Sequence, residues 1–350
     1  MVFRRGHMKR WLIILCTLGL LILTAGVVAQ DERRTTTGGR TNRLRECPRT
    51  DCAILREYPR RTELIVVGQE AGEAVQGSDQ WLRVRDPHDG TEGYLHISLT
   101  ADYVWQGWKD LPAVPAVSAT ARAIYQRGLE LGNDPNAFSK VGDCQNVTAY
   151  FLTPFDTPGQ YNLGDFGGLQ ATIDHFSGSW ARASAAVNPG FNVASVLSPM
   201  WADPKVCQKG ENPLQCEYRL HRPSIVIISL ETWWSARPAA EYEAYLRQVV
   251  QFWVDNGVVP ILGTKADNLE GDHSINAKIA QVGLEFDVPV WNFWAAVQPL
   301  PNHGLSDDGF HLVYARPFFN DAAILQNSWP VRNLTALQAI DAVRRGVAGG

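Results

Sequence analysis

Residues 224–230 read SIVIISL, an apolar run of strand length in which neither alternate set of positions is polar. A strand with two apolar sides must be covered on both faces, which is the position of a parallel strand inside an α/β sheet. The segment AEYEAYLRQVVQFWVDNG after it places Tyr242, Leu246, Val249 and Trp253 at helical spacing, with Gly257 as a stop. The strand VVPILG, the helix SINAKIAQVGLEF with Ile275, Ile279, Val282 and Phe286, and the strand VPVWNF follow. Two successive right-handed βαβ crossovers and a parallel sheet are therefore predicted, and ligands in such sheets sit beyond the carboxyl ends of the strands. The segments leaving those ends are VGDC, LETWW, GTKADNLEGDH and the stretch after VWNFW.

The remainder of the 350 residues has a different texture. Residues 1–29 carry Arg4, Arg5, Lys9 and Arg10 before an apolar stretch of about 18 residues that ends in VVA. This reads as a signal peptide cut after Ala29, or as a membrane anchor formed by residues 11–29, and either places the protein outside the cytoplasm. Cys16 lies in LIILCT, without the small residues expected before a lipid-modified cysteine. Polar, glycine-containing residues 30–40 are expected to be a linker. From 41 to 104 come short strands, AILREY, ELIVVG, WLRVRD and GYLHIS, which predict a small all-β barrel. A second linker, 105–118, contains the two prolines of KDLPAVPAVS. The domain 119–350 opens with ATARAIYQRGLELGNDPN, a predicted helix with Ile124, Leu129 and Leu131 on its apolar side and Gly132 at its end.

The formal net charge is −4, from 32 basic and 36 acidic residues spread along the chain, so there is no electrostatic footprint for nucleic acid. Export makes disulfides permissible. Cys47 and Cys52 in ECPRTDC, and Cys207 and Cys216 in CQKGENPLQC, form two local pairs. Cys144 is left over, as a nucleophile or as a small buried core residue.

Late in the chain, PNHGLSDDGFHL sets Asp308 three residues before His311. A carboxylate at that distance holds the imidazole in one tautomer and leaves the other ring nitrogen as a base. His273, His303, His311, Asp307 and Asp308 contain no zinc-binding spacing, so no metal is expected. Lys265 and Asn268, at the end of the strand VVPILG, are candidate donors to an oxyanion; the alternative is a solvated loop in which Asp272 or Ser274 caps the next helix. Trp233, Trp234, Trp291 and Trp294 near the strand ends read either as core or as a sugar-binding face.

These blocks resemble the GDSL-type, or SGNH, hydrolases, whose members are esterases and lipases on a flavodoxin-like, three-layer αβα sheet. The resemblance spans residues 119–320. KVGDC matches the first family block, with Cys144 in the place of the nucleophilic serine. DGFH matches the last, which implies His311 as general base and Asp308 as its orienting partner. VNPGFNVASVL is similar to the second block and implies Gly190, with the Cys144 backbone N–H, as the oxyanion hole. The third block, Gly-x-Asn-Asp, is replaced by ETWW: Glu231 stands for the glycine and Trp233 for the oxyanion-binding asparagine, and Lys265 is then a compensating donor. A cysteine beside an imidazole and at a helix start is expected to ionise readily. Residues 41–104 resemble the bacterial Src-homology-3-like domain, in which a Trp-containing strand precedes GY(V/L)H. Such modules bind cell-wall or surface polymers, or serve as spacers.

Three functions follow from these readings. The first is an exported hydrolase of a small ester or an acylated carbohydrate that needs no cofactor. The second is a catalytically impaired relative that binds a glycan or cell-surface polymer. The third is an extracellular scaffold.

Overall fold

The computed structural model describes residues 33–147, 149–231, 233 and 238–349. The signal or anchor segment, Cys16 and Trp234 lie outside them. Among the described residues, no helix is long and apolar enough to cross a membrane. The chain divides into two units, one ending at Tyr103 and the other beginning at Val104.

The first unit is one curled antiparallel sheet. Its strands are β1 (Arg34–Thr37), β2 (Asn42–Arg45), β3 (Ile54–Tyr58), β4 (Glu63–Val75), β5 (Ser78–Arg85), β6 (Glu92–His96) and β7 (Thr100–Asp102), in the spatial order β3-β2-β6-β5-β4-β1-β7. Its core consists of Leu44, Tyr58, Leu64, Leu82, Val84 and Leu95. The expected linker 30–40 is corrected here, because RTTT forms β1 between β4 and β7. A run of β-branched residues with alternating burial explains it: Thr35 and Thr37 point inward, and their hydroxyls donate to the carbonyls of Ala101 and Pro59 at 3.0 and 2.6 Å. The Cys47–Cys52 disulfide joins the ends of the turn between β2 and β3.

The second unit is α/β. It begins with α1 (Ala119–Glu130) and β8 (Asp134–Gly142), and continues through α2 (Gln170–His175), α3 (Pro213–His221), β9 (Pro223–Ser229), α4 (Ala239–Asp255), β10 (Val259–Gly263), α5 (Ser274–Glu285), β11 (Val290–Trp291), α6 (Phe293–Val297) and α7 (Ser328–Ala348). The four strands are parallel and lie in the order β11-β10-β9-β8. All seven residues of β9 are buried, as a strand covered on both faces requires. A single parallel bridge joins Gly142 to Val187 on the free edge of β8. Tyr242, Leu246, Val249 and Trp253 of α4 and Ile275, Ile279 and Val282 of α5 are buried in the core shared with the strands. The apolar side of α1 differs from expectation: Ala121, Ile124, Tyr125 and Gly128 are buried, whereas Leu129 and Leu131 are exposed. The Cys207–Cys216 disulfide ties the loop before α3 to that helix.

Register sets the carboxyl ends of the strands side by side. Gly142 is level with Ser229, Ile228 with Leu262, and Gly263 with Trp291. The candidate site lies along this edge.

Candidate active site

The turn carrying Cys144 is built by its neighbours. Beyond Gly142 the chain makes one short turn, Cys144–Asn146, capped by Asp143, whose carboxylate accepts from the Gln145 N–H at 3.1 Å. The Asn146 side chain folds back and donates to the Val141 carbonyl at 2.9 Å, across the space that a Cβ on residue 142 would fill. Glycine is thereby required before the turn. Among the described residues, Cys144 is the cysteine outside a disulfide, and it is half-buried.

His311 and Asp308 form the expected pair. Asp308 Oδ2 lies 2.5 Å from His311 Nδ1, and Oδ1 accepts from the Ser306 hydroxyl and from the N–H groups of Phe310 and His311 at 2.8–2.9 Å. His311 followed by these donors holds the Asp308 carboxyl well below the usual carboxylate range. A carboxylate can only accept, so Nδ1 carries the proton and Nε2 is left as the basic nitrogen. The Phe310 carbonyl accepts from Gln145 Nε2 at 3.2 Å, which ties the His311 loop to the residue after Cys144.

Thiol ionisation runs against the sequence expectation. Burial, then the carboxylates of Asp143 and Glu231, push the Cys144 thiol up to about 12, and Arg332 only partly opposes them. The helical turn is too short to supply a useful dipole, and the nearest fixed charges are negative. Cys144 is a thiol, not a thiolate, at neutral pH.

The expected oxyanion donors are occupied or turned away. The Gly190 N–H donates to Asn188 Oδ1 at 3.0 Å, in a loop sewn to β8 by the Asn188 N–H and the Gly142 carbonyl at 3.2 Å. Trp233 is buried against Tyr242 and Tyr245, and its indole N–H points to the Pro238 carbonyl at 3.3 Å. Lys265 is corrected as a compensating donor: it is buried, with Nζ 2.8 Å from Asp267 and 2.6 Å from Glu270. Those carboxylates outweigh burial and raise its pKa, so it stays charged and engaged. Asn268 accepts the His273 N–H, and Asp272 accepts that of Ser274, so this loop serves the start of α5. Trp291 is fully buried, and Trp294 packs edge-on against Trp108 at 4.8 Å.

Sequence reasoning singled out Glu231 only as the replacement of a family glycine, and missed its partner Arg332. Glu231 is fully buried; its N–H donates to Asp143 at 2.6 Å and its carboxylate accepts from the Ser229 hydroxyl at 2.6 Å. Arg332 of α7 reaches it at 3.0 Å. The signal was available in the sequence, since a glutamate directly after a fully apolar strand needs a buried cation.

No protein-family model matches the chain, and no curated protein matches it. Among solved structures it is similar to one titled "Crystal Structure of TesA", with 18% sequence identity and a TM-score of 0.33, over 57% of this chain and 99% of that one.

Proposed function

We propose that the protein is an exported ester hydrolase of the SGNH type on a three-layer αβα, flavodoxin-like domain, acting on a small ester or an acylated carbohydrate without a cofactor. The observation that carries this reading is the Asp308/His311 pair, tied through the Phe310 carbonyl to the residue beside Cys144. The sheet order supports it too: counting the Val187 bridge, the order is that of a flavodoxin-like sheet, 2-1-3-4-5. The two disulfides suit an oxidising compartment. The first unit then acts as a Src-homology-3-like module for a cell-wall or surface polymer.

Because Cys144 is un-ionised, His311 acts as a general base. Its Nε2 takes the thiol proton as sulfur adds to the ester carbonyl, and the imidazolium gives that proton to the departing alkoxide. Water then attacks the thioester, with His311 again as base, and releases the acid and the thiol. The Cys144 N–H is the donor proposed for the developing oxyanion, because the Gly190 N–H is taken by Asn188 Oδ1. With no asparagine donor the rate falls by about 10²- to 10³-fold. A second reading, a glycan-binding pseudoenzyme, is favoured by the un-ionised thiol and the inward Trp233.

The full chain, assayed on aryl acetates and acetylated glycans, is expected to turn over slowly, and His311→Ala to lose at least a hundredfold. Turnover equal to that of His311→Ala removes the hydrolase reading. A gain in Cys144→Ser with no activity in the native protein identifies a decayed serine site.

A further inference from the structure

We infer that Arg332 is the positioning residue of the Cys144 turn, acting with Glu231 as a buried clasp that fixes the turn against the end of β9. This role takes Cys144 as the nucleophile, as proposed. A single nitrogen, Nη2, carries the contacts: 2.7 Å to Asn146 Oδ1, 2.9 Å to Ser229 Oγ and 3.0 Å to Glu231 Oε1. Asn146 belongs to the turn itself, while Ser229 and Glu231 belong to the end of β9. The guanidinium also lies over the rings of Phe151, Trp291 and Phe293 at 4.9–5.2 Å, so it touches the end of β11 as well.

Nothing in this arrangement suits an ordinary core. Arg332 and Glu231 are fully buried, and Arg332 Nε and Nη1 and Glu231 Oε2 have no hydrogen-bond partner among the described residues. Apolar residues of similar volume would fill the same space without that cost. What the charges provide is position and field at the thiol. Asp143 and Glu231 act on it from the ends of β8 and β9 and Arg332 from α7, while the His311/Asp308 pair is linked to the turn through the Phe310 carbonyl and Gln145. Asp267 acts on Glu231 as a further, weaker negative charge. Arg332 is the cation that offsets these carboxylates, and its contact with Asn146 gives it a direct hold on the turn.

The test reads Cys144 alone, by iodoacetamide alkylation of the folded full chain followed by peptide mass spectrometry. Glu231→Gln is expected to raise the alkylation rate at pH 8 about tenfold, because loss of a carboxylate acting on the thiol favours the thiolate. Arg332→Gln should lower it by a similar factor, and Arg332→Lys, which keeps the charge, should recover most of the loss. Should Arg332→Gln fail to fold, the Glu231→Gln/Arg332→Gln pair replaces it, with a rate between those of wild type and Glu231→Gln. Rates within twofold of wild type in both Glu231→Gln and Arg332→Gln (or, where the latter does not fold, in Glu231→Gln alone), with lowered melting temperatures, reduce the clasp to a structural device and overturn the inference. Alkylation needs no turnover, so failure of the hydrolase assay leaves this outcome separately readable.

Discussion

Two ionisable side chains on or just past the strands, Lys140 and Glu231, sit where the fold excludes water. Lys140 of β8 is buried, and its ammonium donates to the Trp180 carbonyl at 2.8 Å. Burial lowers its pKa from 10.5 to about 8. The unfolded chain therefore binds more protons between those values, and stability rises with pH across that window. Lys140→Met is expected to raise stability at pH 7 by about 2 kcal/mol, the shift less one hydrogen bond. The gain should shrink from pH 8 to 10.5; a gain constant over that range, in urea titrations, would place its origin elsewhere. Glu231 has the opposite sign. Burial raises its pKa from 4.5 to about 7 against the pull of Arg332, so its stabilising protonation is complete below 4.5 and lost as pH rises through 7. Glu231→Gln should flatten the fall in melting temperature between pH 4.5 and 7. An unchanged slope would show that Glu231 titrates normally.

At the scale of elements, the start of the second unit depends on a contact between two glycines. A Cβ on Gly128 of α1 would run into the carbonyl of Gly257, which ends α4 at φ 69°. Gly128→Ala should thus destabilise by about 2 kcal/mol, although alanine is the better helix former by about 1 kcal/mol. A raised denaturation midpoint would refute the close approach. The same contact explains why the apolar face of α1 was misread. Leu129 and Leu131 look like core in the sequence, but helix packing at Gly128 turns them outward. The strands β9 and β10 and the helices α4 and α5 were legible because their apolar periods are long and clean. The terminal helix α7 was not read: it is buried on most sides, so its stripe is blurred, and Arg332 sits inside it.

At the scale of the molecule, each unit has its own core. Leu82→Ala in the first and Leu246→Ala in the second should each cost about 3 kcal/mol, since both side chains are buried. Calorimetry is expected to show two transitions, with Leu82→Ala moving one and Leu246→Ala the other. A single transition shifted by both would contradict independent cores.

Local chemistry alone determined several features of this protein. The parallel strands follow from unbroken apolarity, the disulfide pairs from short cysteine spacing, and the Asp308/His311 hydrogen bond from a three-residue separation that fits one tight turn. Tertiary structure decided whatever depends on residues far apart in the chain. Thr35 and Thr37 became a strand because β4 and β7 flank them. Lys265 was drawn into an ion pair with Asp267 and Glu270 under the packed start of α5. Cys144 was denied its charge by burial and by the carboxylates of Asp143 and Glu231, and Glu231 was held by an arginine about a hundred residues further on. Burial and long-range electrostatics set a thiol's ionisation, and neither is written in the residues beside it.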